Sequence, residues 1–235
     1  MCGRFASPAS KLEEMPLTTS GRLQDQLDTI TSNTRELVQP ERLAITDTAI
    51  QQLFSTGIED CILPVGATAP SFTLQDAITK KVVDSEDLLA VAPVIVKFFR
   101  GRWCPYCMTE LEAWQQLYPE VRARGALLIA ISPQLLRQND FAVQHHNLTF
   151  PILTDPGAAL AAQFGVAYSV PAPIQAHYRS ILINIPFIHG DQGDNTWRLP
   201  LPATFVLSQD NKVLFAEAHA DHRVRPDPMD VLAVL

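Results

Sequence analysis

The residues with the clearest chemical potential are the two cysteines in the segment Trp103-Cys104-Pro105-Tyr106-Cys107. Two thiols at this spacing can close a disulfide when they share the first turn of a helix. Unpaired backbone N–H groups and the helix dipole at such a turn stabilise a thiolate and lower its pKa below the usual value of about 8.5. Pro105 suits that turn because its missing N–H would be unpaired there. We predict that Cys104 is the nucleophile and that Cys107 attacks the mixed disulfide or sulfenic acid formed on Cys104.

Four neighbours of the pair are candidates for supporting roles. Arg100 and Arg102 bring positive charge close to the nucleophile. Trp103 either shields the thiolate or fills the core. Glu110, two turns into the predicted helix, either relays protons or is a solvated helix residue.

A second candidate segment is Pro202-Ala203-Thr204, which precedes a predicted strand. Pro202 is either a cis proline that faces the cysteine pair or an ordinary trans proline before an edge strand.

Two other interpretations of the cysteine pair stay open. One is half of a zinc site, which needs two further ligands; Cys2 and Cys61 are isolated, and His145-His146 falls on another predicted helix. The other is an inert, packed pair. The position between a strand and a helix favours redox chemistry. We interpret Cys61 as a packed free thiol, and the following histidines as surface residues: His177, His189, His219 and His222.

The elements around the pair follow from hydrophobic periodicity. Val94 to Phe99 is a short apolar run typical of a central buried strand, although Lys97 interrupts it. Apolar residues at helical spacing from Met108 to Val121 predict a helix that ends at Arg124-Gly125. The cysteine pair therefore lies where the strand ends and the helix begins.

The remaining segments continue the alternation of strands and helices, which predicts an α/β domain. We expect a strand over 126–131, a helix capped by Ser132-Pro133 and running to His146, a strand at Ile152-Leu153, a helix capped by Asp155-Pro156, a long loop over 166–200, a hairpin from Ala203 to Phe215, and a short helix after Asp227-Pro228. Before this domain, we expect a loose N-terminal arm over 1–20 and a helical extension over 21–60, which leaves 61–235 for the domain itself.

Composition restricts the class of protein. The 235 residues are 47% hydrophobic and carry a net charge of −7. This excludes an intrinsically disordered chain, and it makes nucleic acid and anionic membrane surfaces poor partners. Four cysteines are too few for a secreted disulfide scaffold, and no signal-peptide pattern or apolar span occurs. We therefore expect a cytoplasmic protein with no organic or metal cofactor.

Several of these segments together resemble the peroxiredoxin-like AhpC/TSA branch of the thioredoxin superfamily. The matching pieces are Val65–Leu74, Phe98–Cys107, Glu110-Leu111, Phe164–Val166 and Leu201–Leu207. The resemblance implies a thioredoxin-like fold, a mixed central sheet flanked by helices, for 61–235. It also implies a peroxidase that reduces hydrogen peroxide or organic hydroperoxides through a Cys104 sulfenic acid. The implied partners are a hydroperoxide and a thioredoxin- or glutathione-type reductant. A homodimer is compatible with the resemblance.

The site departs from the family pattern at two positions. Gly101 stands where peroxiredoxins carry Thr or Ser, and Pro202 stands where they carry an Arg. A Gly101→Thr substitution is expected to restore the missing hydroxyl. CPYC is also the glutaredoxin tetrapeptide, and WCPYCMTE resembles thioredoxin-like reductases. A general dithiol–disulfide oxidoreductase is therefore the alternative function, and a non-catalytic redox sensor is the third.

Overall fold

The computed structural model describes residues 22–235, so Cys2 and the whole of the expected N-terminal arm over 1–20 lie outside the described residues. At its centre is a seven-stranded sheet with the strand order β2-β1-β5-β4-β3-β8-β9, and a separate two-stranded sheet joins β6 to β7. The strands are β1 (Thr73–Asp76), β2 (Val82–Asp84), β3 (Val94–Phe98), β4 (Leu127–Ser132), β5 (Ile152–Thr154), β6 (Ala167–Ser169), β7 (Arg198–Pro200), β8 (Ala203–Leu207) and β9 (Val213–Ala218).

The central sheet is mixed. β4 pairs in parallel with both β3 and β5, whereas β8 pairs antiparallel with β3 and with β9. All five residues of β3 and of β8 are buried, as expected for strands covered on both faces. The predicted α/β fold with a mixed central sheet flanked by helices is confirmed.

The helices cover both faces of the sheet and extend beyond it. They are α1 (Leu23–Leu37), α2 (Pro40–Ser55), α3 (Ser85–Val91), α4 (Pro105–Ala123), α5 (Leu136–His146), α6 (Ala159–Gln163), α7 (Ala172–Ser180), α8 (Ile185–His189) and α9 (Pro228–Leu232), with short 3-10 turns at Ile58–Cys61, Pro156–Ala158 and Gly193–Asn195. The predicted N-terminal helices are present as α1 and α2. Leu23 and Leu27 of α1 are buried in the same core cluster as Leu111 of α4. The exact boundaries of arm, extension and domain stay a prediction.

The segment 166–200 is not the long loop that we expected. It contains β6, α7, α8 and β7, with a 3-10 turn between the last two. Pro173 and Pro186 occupy the first turns of α7 and α8, where a missing N–H costs nothing, and Pro171 is the N-cap residue of α7. The prolines that suggested a loop are therefore helix starts.

The predicted helix cap at Ser132-Pro133 is wrong. Ser132 is the last residue of β4, where it is paired with Thr154 and accepts the backbone N–H of Asp155 at 2.8 Å. Its hydroxyl donates to Asn139 Oδ1 at 2.8 Å, and α5 begins only at Leu136. Strand pairing therefore uses the backbone that a cap would have needed.

No helix among residues 22–235 is long and apolar enough to cross a membrane.

Candidate active site

The dithiol lies at the turn between β3 and α4, as the sequence predicts. Cys104 has an extended backbone and precedes Pro105, which is the first residue of α4. The Cys104 carbonyl accepts the backbone N–H groups of Cys107 and Met108, both at 3.1 Å. Cys104 is therefore the N-cap residue of a 19-residue helix, next to the unpaired N–H groups of its first turn.

The two thiols have opposite acidities. Burial opposes ionisation of Cys104, but a hydrogen bond from the Cys107 thiol and the nearby Arg100 and Arg225 lower its pKa to about 6. Burial and the hydrogen bond to Cys104 raise the pKa of Cys107 well above its usual value. Cys104 is therefore the thiolate at neutral pH, and Cys107 remains a thiol.

Arg100 is a buried cation beside Cys104. Its side chain is 3% exposed, and its Nη2 donates to the hydroxyl of Tyr178. The guanidinium stacks on the ring of Trp103, 4.7 Å from the ring centroid. Within residues 22–235 it forms no salt bridge, and its buried Nε has no hydrogen-bond partner. One buried N–H donor of this guanidinium therefore has no partner among the described residues.

Arg102 points away from this site. Its Nε donates to Gln138 Oε1 at 2.7 Å, and its guanidinium lies over the Phe141 ring at 4.5 Å. The exposed Pro105 contributes to the same outer surface. Of the two predicted arginines, only Arg100 is brought to Cys104.

Gly101 is confined between two side chains. Its φ of +146° lies in a region that L side chains rarely adopt. A Cβ at this position would come within 2.6 Å of Trp103 Nε1 and 2.9 Å of Gln134 Oε1. The expectation that Gly101→Thr restores a useful hydroxyl is therefore wrong, because the backbone and its neighbours leave no place for the side chain.

Beneath the dithiol lies a buried charge cluster, which we define as Lys97, Glu110, Thr204 and Arg225. Lys97 Nζ donates to Glu110 Oε1 and to the Thr204 hydroxyl, and Arg225 Nε donates to Glu110 Oε2 at 2.7 Å. Although burial opposes its ionisation, the two cations hold the pKa of the Glu110 carboxyl below its usual range. Burial lowers the pKa of Lys97. Glu110 is therefore not a solvated helix residue; it is buried and paired with two cations, Lys97 and Arg225.

The cluster reaches the second cysteine through Arg225. Arg225 Nη2 lies 3.8 Å from Cys107 Sγ, close enough for a hydrogen bond to sulfur. Two cations and one carboxylate leave the cluster with one positive charge when all three are ionised. A thiolate on Cys107 would neutralise that charge, so the surroundings of Cys107 favour its anion more than burial alone would.

Two adjoining cavities lie over the site. The Cys104 cavity, of about 270 Å³, is lined by Cys104, Arg100, Trp103 and residues of α1, α2 and α7. The apolar cavity, of about 390 Å³, lies between α2 and α7 and includes Ile50, Leu53 and Ile174. The residues common to both linings are Thr46, Arg100, Tyr178 and His222. The N-terminal helices therefore cover the dithiol, and Cys104 is only 1% exposed.

The remaining predicted residues are placed as follows. No cis peptide bond occurs within residues 22–235, so Pro202 is trans, and it precedes β8 in the interior of the sheet rather than an edge strand. Cys61 is an exposed free thiol, not a packed one, and lines the apolar cavity. His189 is buried, which lowers its pKa to about 4. Burial and the adjacent Arg100 and Arg225 lower the pKa of His222 well below its usual value, and His222 lines both cavities. His189 and His222 are therefore not surface histidines.

Sequence reasoning missed several residues of the site. Lys97 carried a usable signal, because a charged residue inside a buried strand needs a buried partner. No sequence signal pointed to three other residues of the site, because they lie 70 or more residues from Cys104 along the chain and only the fold brings them close: Tyr178, His222 and Arg225.

The chain is similar in sequence to known thiol-based oxidoreductases. Residues 65–216 match the AhpC/TSA family. The chain belongs to the AhpC/TSA family. "Thiol-disulfide oxidoreductase ResA" of Bacillus thuringiensis (strain Al Hakam) is 25% identical over 156 residues, which are 65% of this chain and 68% of that protein. "Putative peroxiredoxin bcp" of Haemophilus influenzae is 30% identical over 104 residues, which are 44% of this chain and 66% of that protein.

Solved structures agree with the fold. "Peroxidoxin BcpB from Mycobacterium tuberculosis" superposes with a TM-score of 0.56 at 23% identity, covering 73% of this chain and 96% of that one. "Mycobacterium tuberculosis AhpC" superposes with a TM-score of 0.53 at 20% identity, covering 74% of this chain and 91% of that one. Family and relatives together establish a thiol-based oxidoreductase with a thioredoxin-like fold, and they leave peroxide and disulfide substrates both open.

Proposed function

We propose that this protein is a thiol peroxidase that reduces hydrogen peroxide or organic hydroperoxides. The observation that supports this most is the position of Cys104, a low-pKa thiolate that is 1% exposed at the floor of a covered cavity. A hydroperoxide is small enough to enter such a cavity, whereas a protein disulfide must bring its own backbone up to the attacking sulfur. The adjoining apolar cavity offers room for the organic part of a hydroperoxide.

In the first step, the Cys104 thiolate attacks one oxygen of the hydroperoxide. The O–O bond breaks, Cys104 becomes a sulfenic acid, and the departing oxygen takes a proton to leave as an alcohol or water. Negative charge develops on that oxygen in the transition state. The free Nε of Arg100 supplies an N–H donor beside Cys104, in place of the Thr or Ser and the later Arg that the family pattern leads one to expect.

In the second step, Cys107 attacks the sulfur of the Cys104 sulfenic acid. A disulfide forms, and the sulfenic hydroxyl leaves with the Cys107 proton as water. Because the pKa of Cys107 is high, the step needs help to form its thiolate. Arg225, at 3.8 Å from Cys107 Sγ, provides the positive charge for this. A thioredoxin- or glutathione-type reductant then returns the pair to dithiol.

The second candidate function is a dithiol–disulfide oxidoreductase. It is favoured by the CPYC tetrapeptide and by the buried Arg225, which links Glu110 to Cys107 Sγ and brings positive charge to the second thiol. The relative named thiol-disulfide oxidoreductase agrees with it. It requires that a disulfide substrate reach the covered Cys104.

A single-turnover comparison tests the proposal. Reduced protein is mixed with stoichiometric hydroperoxide and, separately, with insulin, and the loss of free Cys104 thiol is followed by rapid quench and mass spectrometry. We expect oxidation by hydroperoxide to be orders of magnitude faster than that of a small thiol of equal pKa. Arg100→Lys is expected to slow this step by about 10²–10³-fold, as is typical for loss of a donor to developing charge.

Arg102→Lys is the matched control, because Arg102 points away from Cys104, and it should leave the rate unchanged. Oxidation at the small-thiol rate, together with rapid reduction of insulin, would establish the oxidoreductase function instead.

A further inference from the structure

We propose that the Cys104 cavity is also a binding site for the reductant, and that this reductant is a small thiol carrying carboxylates, of the glutathione class, not a protein. This inference rests on the proposed function only in that both use a Cys104–Cys107 disulfide. Three features of the cavity carry it: which sulfur it exposes, the charge of its walls, and the helices that cover it.

The cavity gives access to one sulfur only. Cys104 lines it, whereas Cys107 is fully buried and lines neither of the two cavities. A thiol entering from solvent therefore meets Cys104 Sγ first. The sulfur released by attack there is that of Cys107, beside Arg225 Nη2 at 3.8 Å. Access therefore sets this direction of attack, and the positive charge of Arg225 partly offsets the high pKa of the leaving Cys107 thiol.

The walls of the cavity are positively charged in a protein whose net charge is −7. Arg35 of α1, Arg42 of α2 and Arg100 line it. None of these three forms a salt bridge with any residue in the described part of the chain. A fourth lining arginine, Arg223, is already neutralised by Asp47 and Asp221.

These three arginines lie at two depths. Arg100 is 3% exposed, with a buried Nε that has no partner, whereas Arg35 and Arg42 are exposed on the covering helices. The deep guanidinium suits an incoming thiolate beside Cys104, and the outer two suit carboxylates at a greater distance from it. A small thiol with carboxylates on both sides of its sulfur matches this arrangement.

The covering helices disfavour a protein reductant. α1 is joined to α4 by a hydrogen bond of 3.1 Å between the Thr31 and Tyr106 hydroxyls. α2 is joined to the C-terminal segment by the Arg223–Asp47 salt bridge at 2.8 Å. A folded partner would have to displace these helices to bring its own cysteine against Cys104, and a small thiol would not.

The chemistry balances with two molecules of thiol. The first thiolate attacks Cys104 Sγ, so that the Cys104–Cys107 bond breaks, a mixed disulfide forms on Cys104, and Cys107 leaves as a thiolate that takes up a proton. The second thiolate attacks the sulfur of the bound thiol, which releases the Cys104 thiolate and the oxidised disulfide of the reductant. Two electrons pass from the two thiols to the protein disulfide.

The test compares glutathione with its diethyl ester, in which the carboxylates are neutral and the thiol is kept. Full-length protein is oxidised with diamide, so that the disulfide is prepared without any peroxide, and regain of protein thiols is followed by mass spectrometry. We expect glutathione to act at least about fivefold faster than the ester, after correction to equal thiolate concentration. We expect Arg35→Gln and Arg42→Gln each to slow glutathione by up to about fivefold, the upper range for one exposed ion pair, without slowing the ester.

Arg122→Gln is the matched control, because Arg122 is exposed on α4 and does not line the cavity. It should change neither rate. Equal rates for glutathione and the ester, or reduction by thioredoxin at micromolar concentration faster than by millimolar glutathione, would overturn the proposal. Since diamide supplies the disulfide, failure of the protein to react with peroxide would count against the proposed function and leave this test intact.

Discussion

At the scale of single residues, the difference between two thiols one helical turn apart decides the chemistry. The hydrogen bond that Cys107 gives to Cys104 lowers the pKa of the first sulfur to about 6 and raises that of the second. The position of Cys104 at a helix start therefore explains only part of the pKa difference between the two thiols. The charges of Arg100, four residues before Cys104, and of Arg225, which the fold brings close, also lower the pKa of Cys104.

This asymmetry predicts the pH dependence of alkylation. A thiolate reacts with iodoacetamide and a thiol does not, so the rate at Cys104 should rise with pH, with a midpoint near pH 6, and then level off. Measured by mass spectrometry in a Cys2→Ser/Cys61→Ser background, Cys104→Ser should abolish labelling at pH 6. Cys107→Ala removes the hydrogen-bond donor to Cys104 and should therefore move the midpoint upward. Labelling of Cys107 before Cys104 would reverse their roles.

At the scale of elements, the site depends on a tight turn between β3 and α4. The strand and the helix were predictable from apolar runs and helical spacing, because β3 is buried on both faces and α4 along one face. The geometry of the six residues between them, 99–104, was not. Gly101 lies against Trp103 of the same turn and Gln134 of the connection between β4 and α5, and sequence spacing does not report these contacts.

Gly101→Thr should therefore damage the protein. The strained φ and the 2.6 Å approach of a Cβ to Trp103 Nε1 predict a loss of about 1–3 kcal/mol in the free energy of unfolding, measured by urea denaturation. Peroxide turnover should fall rather than rise. Gly125→Ala is the control for backbone strain alone, since Gly125 also has a positive φ but no atom within 4 Å of its Cβ position. A Gly101→Thr protein as stable as the wild type would show that the turn can rearrange.

Contacts between elements explain which of the predictions were wrong. Ser132-Pro133 has the composition of a helix cap, yet pairing of Ser132 with Thr154 overrides it. The prolines of 166–200 are as compatible with helix starts as with loops, and the packing of α7 against α2 decides between them. Glu110 was predicted as a supporting residue, but its role in a buried cluster depends on Arg225, 115 positions away.

At the scale of the whole molecule, charge is unevenly distributed. The net charge of −7 would repel an anion at long range, whereas the arginines of the Cys104 cavity attract one at short range. A neutral hydroperoxide responds to neither field. The two half-reactions should therefore differ in how they depend on salt.

Raising the ionic strength from about 0.01 M to about 1 M shortens the screening length from about 30 Å to about 3 Å. We expect the rate of Cys104 oxidation by hydrogen peroxide to stay constant across this range. Reduction of the disulfide by glutathione should slow, because screening weakens the short-range attraction to Arg35 and Arg42, while reduction by the diethyl ester should not slow. Stopped-flow tryptophan fluorescence follows both steps. A glutathione rate that increases with salt would mean that the net negative charge dominates at the cavity.

The order of the chain has a consequence for biosynthesis. The dithiol is made between two groups of residues that meet over it: Gln24 accepts the backbone N–H of Arg225, and Asp47 pairs with Arg223. Until residues 223–225 leave the ribosome, Glu110 has only Lys97 as a cationic partner, and α1 and α2 lack these C-terminal anchors. A nascent chain therefore passes through a stage in which its cysteines are open to cellular oxidants and folding catalysts. The time taken to translate the chain from Cys107 to Arg225 thus contributes to how long the thiols remain exposed.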